Sequence, residues 1–304
     1  MIASAHAGTR GHALPAGEPA AEAGPATREK RREGVALALG GGAAKAFAHI
    51  PVLEAFDDLG IRPAEMAGTS MGAILGSLYA SGMSGREIRA YVVDLFIKRR
   101  PLLKKLFLDS GRPLSSLLNL TRPAIIDPIV LFEAVLPPDL PRRFADLQVP
   151  MKIVATDFHA QDAVVLEEGD LLPAIAASSA LPVLLTPVRI GSRVLIDGGF
   201  TNPTPFDVLD ASRFVSVGVD VTGIEVNDDG KLPGALETWI GSFSIVLHSL
   251  VTEKLKRKQP DLLIEPPVGT FKTMDFFRLE KLLAEVDRSK DRIKRDLEAV
   301  LERA

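Results

Sequence analysis

Two short apolar segments, each followed at once by a glycine-rich turn, restrict the folds open to this chain most strongly. Val35–Leu39 runs into Gly40–Gly42, and a second segment, predicted to end at Ala67, runs into Gly68–Gly72. A helical pattern of apolar residues follows each turn. Strand, glycine turn and helix in immediate repetition predict an α/β fold with a parallel sheet, because parallel strands need a crossover helix between them.

The rest of the chain continues this alternation. Later strands are predicted at Met151–Thr156, Ala163–Leu166, Val194–Ile196 and Phe214–Val221. The first helix, over residues 47–59, contains Pro51, which should kink the helix or delay its regular start until after His49. An apolar stripe between Leu279 and Leu301 predicts one long amphipathic helix at the C-terminus.

Charge and residue content exclude several classes of protein. The 304 residues carry a net charge of -3, so no global basic field draws the chain to nucleic acid. The chain has no cysteine, which excludes disulfides, thiolate metal sites and a cysteine nucleophile. Two uncharged windows, Met66–Gly85 and Leu171–Val188, approach the length of a membrane span, but their glycines, serines and prolines favour buried parts of a core.

The composition divides the chain into two regions. Residues 1–33 are rich in Ala, Gly and Pro and lack apolar periodicity, so we predict a disordered tail there. Residues 34–304 should form one domain that includes the amphipathic C-terminal helix. No apolar segment follows a basic one at the N-terminus, which argues against a secretory signal and favours a cytoplasmic protein.

A basic amphipathic segment lies between Tyr91 and Leu108. It places Lys and Arg residues, Lys104 and Lys105 among them, between apolar residues. The sequence leaves two interpretations open. The segment either docks on an anionic lipid surface, making the protein peripheral at a membrane, or packs in the core with a solvated basic face.

The second glycine turn has the composition of a nucleophile elbow. Gly68 and Gly72 on either side allow a sharp bend from strand to helix, so Ser70 would stand exposed on that bend. The backbone N–H groups of the first turn, up to Ala43, could stabilise the oxyanion that forms when a serine attacks a carbonyl. A dinucleotide turn fits the first turn less well, because Ala46 stands where its last glycine belongs.

A serine nucleophile needs a base, and the sequence offers two candidates. Asp197 ends a predicted strand, at the edge where α/β enzymes carry catalytic groups, although a plain Asp-Gly turn is the alternative. His248 would complete a Ser-Asp-His triad in hydrolase order, but its apolar neighbours favour a structural role. His49, beside the first turn, is expected to be structural.

Several motifs together resemble those of bacterial patatin-like phospholipases. They are Leu39–Ile50 (LGGGAAKAFAHI), Gly68–Gly72 (GTSMG), Ala176–Pro182 (AASSALP), Ile196–Pro203 (IDGGFTNP) and, as a closing strand, Asp261–Pro266 (DLLIEP). The similarity covers about Val35–Leu283. It implies a three-layer α/β sandwich around a mostly parallel sheet, and lipid acyl hydrolase activity without a metal or cofactor.

The resemblance also implies roles for individual residues. In this family a Ser-Asp dyad replaces the triad, which would make Ser70 the nucleophile and Asp197 its base. The resemblance assigns the oxyanion hole to three loop residues and a basic neighbour, which are Gly41, Gly42, Ala43 and Lys45.

This chain departs from the family pattern at Ala43, Ala46 and Pro51, where glycine is usual. A methyl group at Ala43 should be tolerated only with a negative φ. The alanines in the loop also leave open a catalytically weak membrane-surface binding protein on the same scaffold. A Ser-His-Asp esterase that uses His248 is the other alternative.

Overall fold

The computed structural model describes residues 32–98, 126–223, 232 and 234–303. Within these ranges the chain folds around one mixed sheet of eight strands. The strands are β1 (Val35–Leu39), β2 (Glu65–Thr69), β3 (Met151–Asp157), β4 (Asp162–Leu166), β5 (Val188–Ile190), β6 (Arg193–Asp197), β7 (Val215–Val219) and β8 (Leu262–Ile264).

The parallel part of the sheet has the order β3-β2-β1-β7-β8. Every residue of the central strand β1 is buried, as expected for a strand covered on both faces. This confirms the mostly parallel sheet. β2 continues to Thr69, two residues beyond its predicted end, so the strand leads directly into Ser70.

The helices are α1 (His49–Asp58), α2 (Met71–Ala80), α3 (Gly85–Lys98), α4 (Pro128–Val135), α5 (Leu171–Ser178), α6 (Ala235–Arg257), α7 (Leu279–Asp287) and α8 (Lys290–Glu302). Alternate residues of β1 face two different clusters. Leu37 and Leu39 join a large apolar core with side chains of α1, α2 and α5. Ala36 and Ala38 face a smaller cluster on the other side of the sheet, built around Phe206. The result is the expected three-layer α/β sandwich.

The strands β2 and β6 meet end to end on one edge of β3. β2 runs parallel to β3 and pairs up to Val154, whereas β6 runs antiparallel and ends with Asp197 opposite Ala155. β4 pairs with both of these β3 residues and therefore occupies the other edge. The carboxyl ends of β2 and β6 thus converge on neighbouring residues of β3, which brings Asp197 beside the turn after Thr69.

A short 3-10 helix, Ala43–Ala48, separates the first glycine turn from α1. The regular helix begins at His49, so Pro51 falls in its first turn. A proline is tolerated there because the first N–H groups of a helix have no intrahelical partner. The regular start is delayed as expected, although it falls at His49 and not after it.

The prediction of one long C-terminal helix is wrong, because the chain bends between α7 and α8 at Arg288 and Ser289. The Ser289 hydroxyl donates to the carbonyl of Val286 at 2.7 Å, a local hydrogen bond that competes with regular helix. Asp287 and Lys290, on either side of the bend, both reach charged groups of the helices beneath.

These charges form a partly buried ion cluster of Glu54 on α1, Arg89 on α3, Asp287 and Lys290. Arg89 donates to both oxygens of Glu54, at 2.6 and 2.8 Å, and to both oxygens of Asp287, at 3.1 and 2.7 Å. Burial alone would raise the pKa of Glu54, but the hydrogen bonds from Arg89 and Lys290 hold it below its usual value. The cluster ties α1 and α3 to the C-terminal bend.

Replacing Arg89 with methionine should lower the free energy of unfolding by about 2 kcal/mol, because Glu54 keeps only Lys290 as its partner. Arg86→Met on the same helix is the matched control, since its ion pair with Asp58 is exposed and should contribute at most about 0.5 kcal/mol. Urea unfolding measures the free energy of unfolding of both variants. Because the folded-state pKa of Glu54 is lowered, the difference between wild type and Arg89→Met should shrink as the pH falls below about 4.5. Equal losses in the two variants would contradict the role of the cluster.

Two predicted regions lie partly outside the described residues, namely residues 1–31 of the tail and residues 99–108 of the basic segment. Within the described part, Arg32 pairs with Asp261 at 2.7 Å. The described part of the basic segment belongs to α3, where Val92 is buried and the Phe96 ring contacts that of Phe47. No helix in the described ranges has both the length and the apolar content that crossing a bilayer requires.

Candidate active site

Ser70 occupies a strained turn between β2 and α2. Its φ of 54° and ψ of -123° lie outside the regions that non-glycine residues commonly adopt. Glycine is required on both sides of it. A Cβ on Gly72 would lie 2.2 Å from the carbonyl oxygen of Leu39, and one on Gly68 would lie 2.7 Å from the backbone of Ala73. The two glycines therefore let α2 start directly against the ends of β1 and β2, which fixes Ser70 on the bend.

The Ser70 hydroxyl donates to Oδ2 of Asp197 at 2.7 Å. The Ser70 N–H donates to the hydroxyl of Ser178 at 2.8 Å, and that hydroxyl donates to the carbonyl of Val154 at 2.6 Å. Ser178 thus ties the strained turn to β3. The motif Ala176–Pro182 contains Ser178, but nothing in the sequence indicates this role for it.

Asp197 is a buried carboxylate with few polar neighbours. Its Oδ1 accepts from the N–H of Gly199 at 2.8 Å, and its backbone carbonyl accepts from the Thr156 hydroxyl at 2.9 Å. Burial raises the pKa of Asp197 to about 6, although the hydrogen bonds from Gly199 and Ser70 favour the charged form. A carboxylate with this pKa is a stronger base than one exposed to water.

The first glycine turn is held by neighbours on both sides. The carbonyl of Gly40 accepts from Nε2 of His49 at 2.7 Å, and the N–H of Gly41 donates to the carbonyl of Pro203 at 2.8 Å. Burial lowers the pKa of His49 to about 4, so its ring is neutral at pH 7. His49 is the structural residue that the sequence predicts. The N–H groups of Gly42 and Ala43 have no hydrogen-bond partner among the described residues.

The expectation of a negative φ at Ala43 is wrong. Its φ is 47°, in the left-handed region, where a non-glycine residue costs about 1–2 kcal/mol. The carbonyl of Thr273 holds the next residue, Ala44, through a 2.9 Å hydrogen bond. Lys45 is buried, and its Nζ donates to the carbonyl of Gly223 at 3.0 Å. These bonds to other segments maintain the strained turn.

A cavity of about 170 Å³ lies beside Ser70. Gly41, Gly42, Ala43 and Asp197 also line it, so the two glycine turns and the carboxylate share one space. The rest of the wall is mostly apolar and includes Ile74, Leu131, Phe132, Leu181, Phe243 and Leu247. The cavity therefore joins Ser70, Asp197 and the first glycine turn to a space suited to hydrocarbon.

His248 lies on α6, outside the set of residues that line this cavity. Its Nδ1 is buried without a hydrogen-bond partner in the part of the chain that the structure describes. Ser70 and Asp197 contact each other directly instead. Within the same ranges, no three His, Asp or Glu side chains are grouped as ligands for a metal ion.

A model of the patatin-like phospholipase family matches residues 37–210, which contain both glycine turns, Ser70, Ser178 and Asp197. The chain belongs to the patatin-like phospholipase family.

Curated relatives of this patatin-like chain include bacterial and animal proteins. An uncharacterized NTE family protein of Mycobacterium bovis is 31% identical over 192 residues, which cover 63% of this chain and 50% of that protein. The patatin-like phospholipase domain-containing protein 6 of Homo sapiens is 26% identical over 275 residues, which cover 82% of this chain and 19% of that protein. This chain thus spans half or less of the length of these relatives.

Two solved structures are also similar to this chain. VipD from Legionella pneumophila has a TM-score of 0.44 and 14% identity, covering 86% of this chain and 67% of VipD. ExoU from Pseudomonas aeruginosa, solved in complex with SpcU, has a TM-score of 0.41 and 18% identity, covering 90% of this chain and 53% of the matched chain.

Proposed function

We propose that this patatin-like chain hydrolyses carboxylic esters of lipids, with Ser70 as the nucleophile and Asp197 as its base. The observation that carries the proposal is the 2.7 Å hydrogen bond from the Ser70 hydroxyl to a buried carboxylate. The bond lies at the polar end of an apolar cavity. A hydroxyl becomes an effective nucleophile when a neighbouring base accepts its proton as it attacks.

In the first step, Ser70 Oγ attacks the ester carbonyl carbon and Asp197 Oδ2 takes the hydroxyl proton. Burial of Asp197 supports this role because it raises the pKa of the carboxylate to about 6. The protonated Asp197 then gives its proton to the departing alcohol as the C–O bond breaks, which leaves an acyl group on Ser70. In the second step Asp197 accepts a proton from water as the water oxygen attacks the acyl carbon. The bond from that carbon to Ser70 Oγ then breaks, Asp197 returns the proton to Oγ, and the carboxylic acid leaves.

The negative charge on the carbonyl oxygen needs donors while the tetrahedral intermediate exists. We assign this task to the N–H groups of Gly42 and Ala43, which have no partner among the described residues. Gly41 contributes differently, since its own N–H is bonded to Pro203. A Cβ at Gly41 would lie 3.3 Å from Cβ of Ser70, so glycine lets the loop approach the nucleophile. Lys45 supports the loop through its bond to Gly223.

The apolar wall of the cavity supports an acyl chain as the group that enters it. Elements around the cavity also carry exposed apolar side chains. Val130 on α4 is 63% exposed and Val183, in the loop after α5, is 46% exposed. Their neighbours Leu131 and Leu184 line the cavity. This arrangement supports a lipid substrate presented at a membrane surface, which would make the protein peripheral there.

Labelling with an alkyl fluorophosphonate tests the proposal. The reagent should add one phosphonyl group to the protein, and peptide mass spectrometry should place it on Ser70, because only an activated serine displaces fluoride at a useful rate. Prior denaturation should abolish the reaction. Absence of labelling in folded protein would favour the alternative, a binding protein that has kept this scaffold without turnover.

A further inference from the structure

A second cavity, of about 90 Å³, lies between α2, α3 and α4. Its lining is made of alkyl and aromatic side chains, among them Leu75, Val92 and Val135. Among the described residues of this lining, Tyr91 alone has a hydroxyl group, and it already donates to the carbonyl of Val135 at 2.8 Å. A water molecule needs two to four polar partners to occupy a cavity, and the side chains that the structure describes around this one do not offer them. The cavity therefore suits a hydrocarbon ligand.

The two cavities share one wall. Five side chains line both of them, namely Met71, Ile74, Leu131, Phe132 and Phe276. Met71 directly follows Ser70, so the shared wall begins at the nucleophile. An unbranched chain whose carbonyl lies at Ser70 and whose methylenes fill the first cavity would reach this wall. Side chains of Met and Leu have several rotamers and can open such a wall without moving the backbone.

We propose that the second cavity receives the far end of a long acyl chain and makes the enzyme prefer long-chain esters. The inference rests on the proposed function, because it needs an acyl ester held at Ser70. Each methylene transferred from water into an apolar space favours binding by roughly fourfold. Several additional methylenes should therefore raise kcat/KM for long-chain esters at least about tenfold above that for esters whose chain ends in the first cavity.

Filling the second cavity tests this inference. Val135 lines only the second cavity and is half-buried, so Val135→Trp adds bulk there without a change beside Ser70. The measured quantity is the ratio of kcat/KM for p-nitrophenyl palmitate to that for p-nitrophenyl butyrate, both in mixed detergent micelles. We expect Val135→Trp to lower this ratio at least about tenfold. Glu133→Trp, at an exposed position of the same helix that lines neither cavity, is the matched control and should leave the ratio within about twofold of wild type.

A second variant and a second readout distinguish a change in chain-length preference from a folding defect. Leu95→Phe fills the same cavity from α3, where Leu95 is half-buried. The ratio of the labelling rate with dodecyl fluorophosphonate to that with ethyl fluorophosphonate should fall together with the ester ratio. An unchanged ratio in both folded variants would overturn the inference while leaving the proposed function intact. If wild type neither hydrolyses butyrate ester nor becomes labelled, the proposed function itself fails.

Discussion

Replacing Ser70 with alanine should lower kcat/KM for a short acyl ester by at least about 10³-fold, because the variant has no oxygen that can attack the carbonyl. Alanine keeps the Cβ, and the turn remains set by Gly68 and Gly72, so the fold should persist. The assay is steady-state hydrolysis of p-nitrophenyl butyrate. The circular dichroism spectrum and the melting temperature of the variant establish that it is folded.

Ser77→Ala is the matched control for this experiment. Ser77 lies on α2, is buried, and its hydroxyl has no hydrogen-bond partner among the described residues. The variant removes the same atom from a nearby buried serine and should keep kcat/KM within about twofold of wild type. If Ser70→Ala retained more than a few per cent of wild-type activity, another group would be the nucleophile.

The parallel half of the fold could be predicted because its determinants are local. β1 is a short apolar run that stops at Gly40, and β2 passes through Gly68 into the turn at Ser70. The structure explains why glycine must stand around that turn. Gly72 has no room for a Cβ against Leu39. A requirement of this kind is visible in sequence as a motif, which is why the location of Ser70 on a bend after a buried strand could be predicted without the structure.

The pairing of Ser70 with Asp197 could not be derived from local pattern alone. The two residues are 127 positions apart. They meet because β6 occupies the stretch of the β3 edge that β2 leaves free after Val154. Strand order and register depend on the whole sheet, so sequence reasoning needed the family resemblance to connect them. The role of Ser178 could not be predicted for the same reason, since its partners lie in the turn after β2 and on β3.

Two predictions failed where tertiary contacts overrode a local rule. The apolar period from Leu279 to Leu301 continues through Arg288 and Ser289, yet the helix bends there and the flanking charges reach Glu54 and Arg89. Ala43 has a positive φ although glycine would adopt it at lower cost. Its neighbours in the chain are held by Gly223 and Thr273, so the loop conformation is imposed from outside.

Both turns that face the cavity therefore store backbone strain, at Ala43 and at Ser70. Such residues cost of order 1–3 kcal/mol each and persist only when the surrounding structure holds them in place. Here the supports are the hydrogen bonds that join the first turn to His49 and Pro203, and the one that the Ser70 N–H donates to Ser178 in the second. Ala43 and Ser70 both line the cavity, so the loop and the nucleophile are held beside it before a substrate arrives, which is the preorganisation that electrostatic catalysis requires.

Replacing Asp197 with asparagine should lower kcat/KM by about 10²- to 10⁴-fold, because the amide keeps the shape of the carboxylate but cannot accept the Ser70 proton. The pH dependence of kcat/KM tests independently whether Asp197 is the base. In wild type, kcat/KM should fall as the pH drops below about 6, since protonation of Asp197 removes the base. The residual kcat/KM of Asp197→Asn should not fall in this pH range. If His248→Gln were the severe change and Asp197→Asn the mild one, a triad would replace the dyad.

The same substitution should raise stability while it removes activity. The pKa of Asp197 is raised from 3.8 to about 6, which means that holding its charge in the folded protein costs on the order of 3 kcal/mol at about pH 8. Asparagine avoids this cost and can still accept from the N–H of Gly199. In urea unfolding, Asp197→Asn should therefore be more stable than wild type at about pH 8. The advantage should shrink as the pH falls through 6, because the wild-type carboxylate becomes protonated and loses its penalty. A variant that is less stable than wild type at about pH 8 would show that the charged Asp197 stabilises the fold, and that its burial does not make it a stronger base.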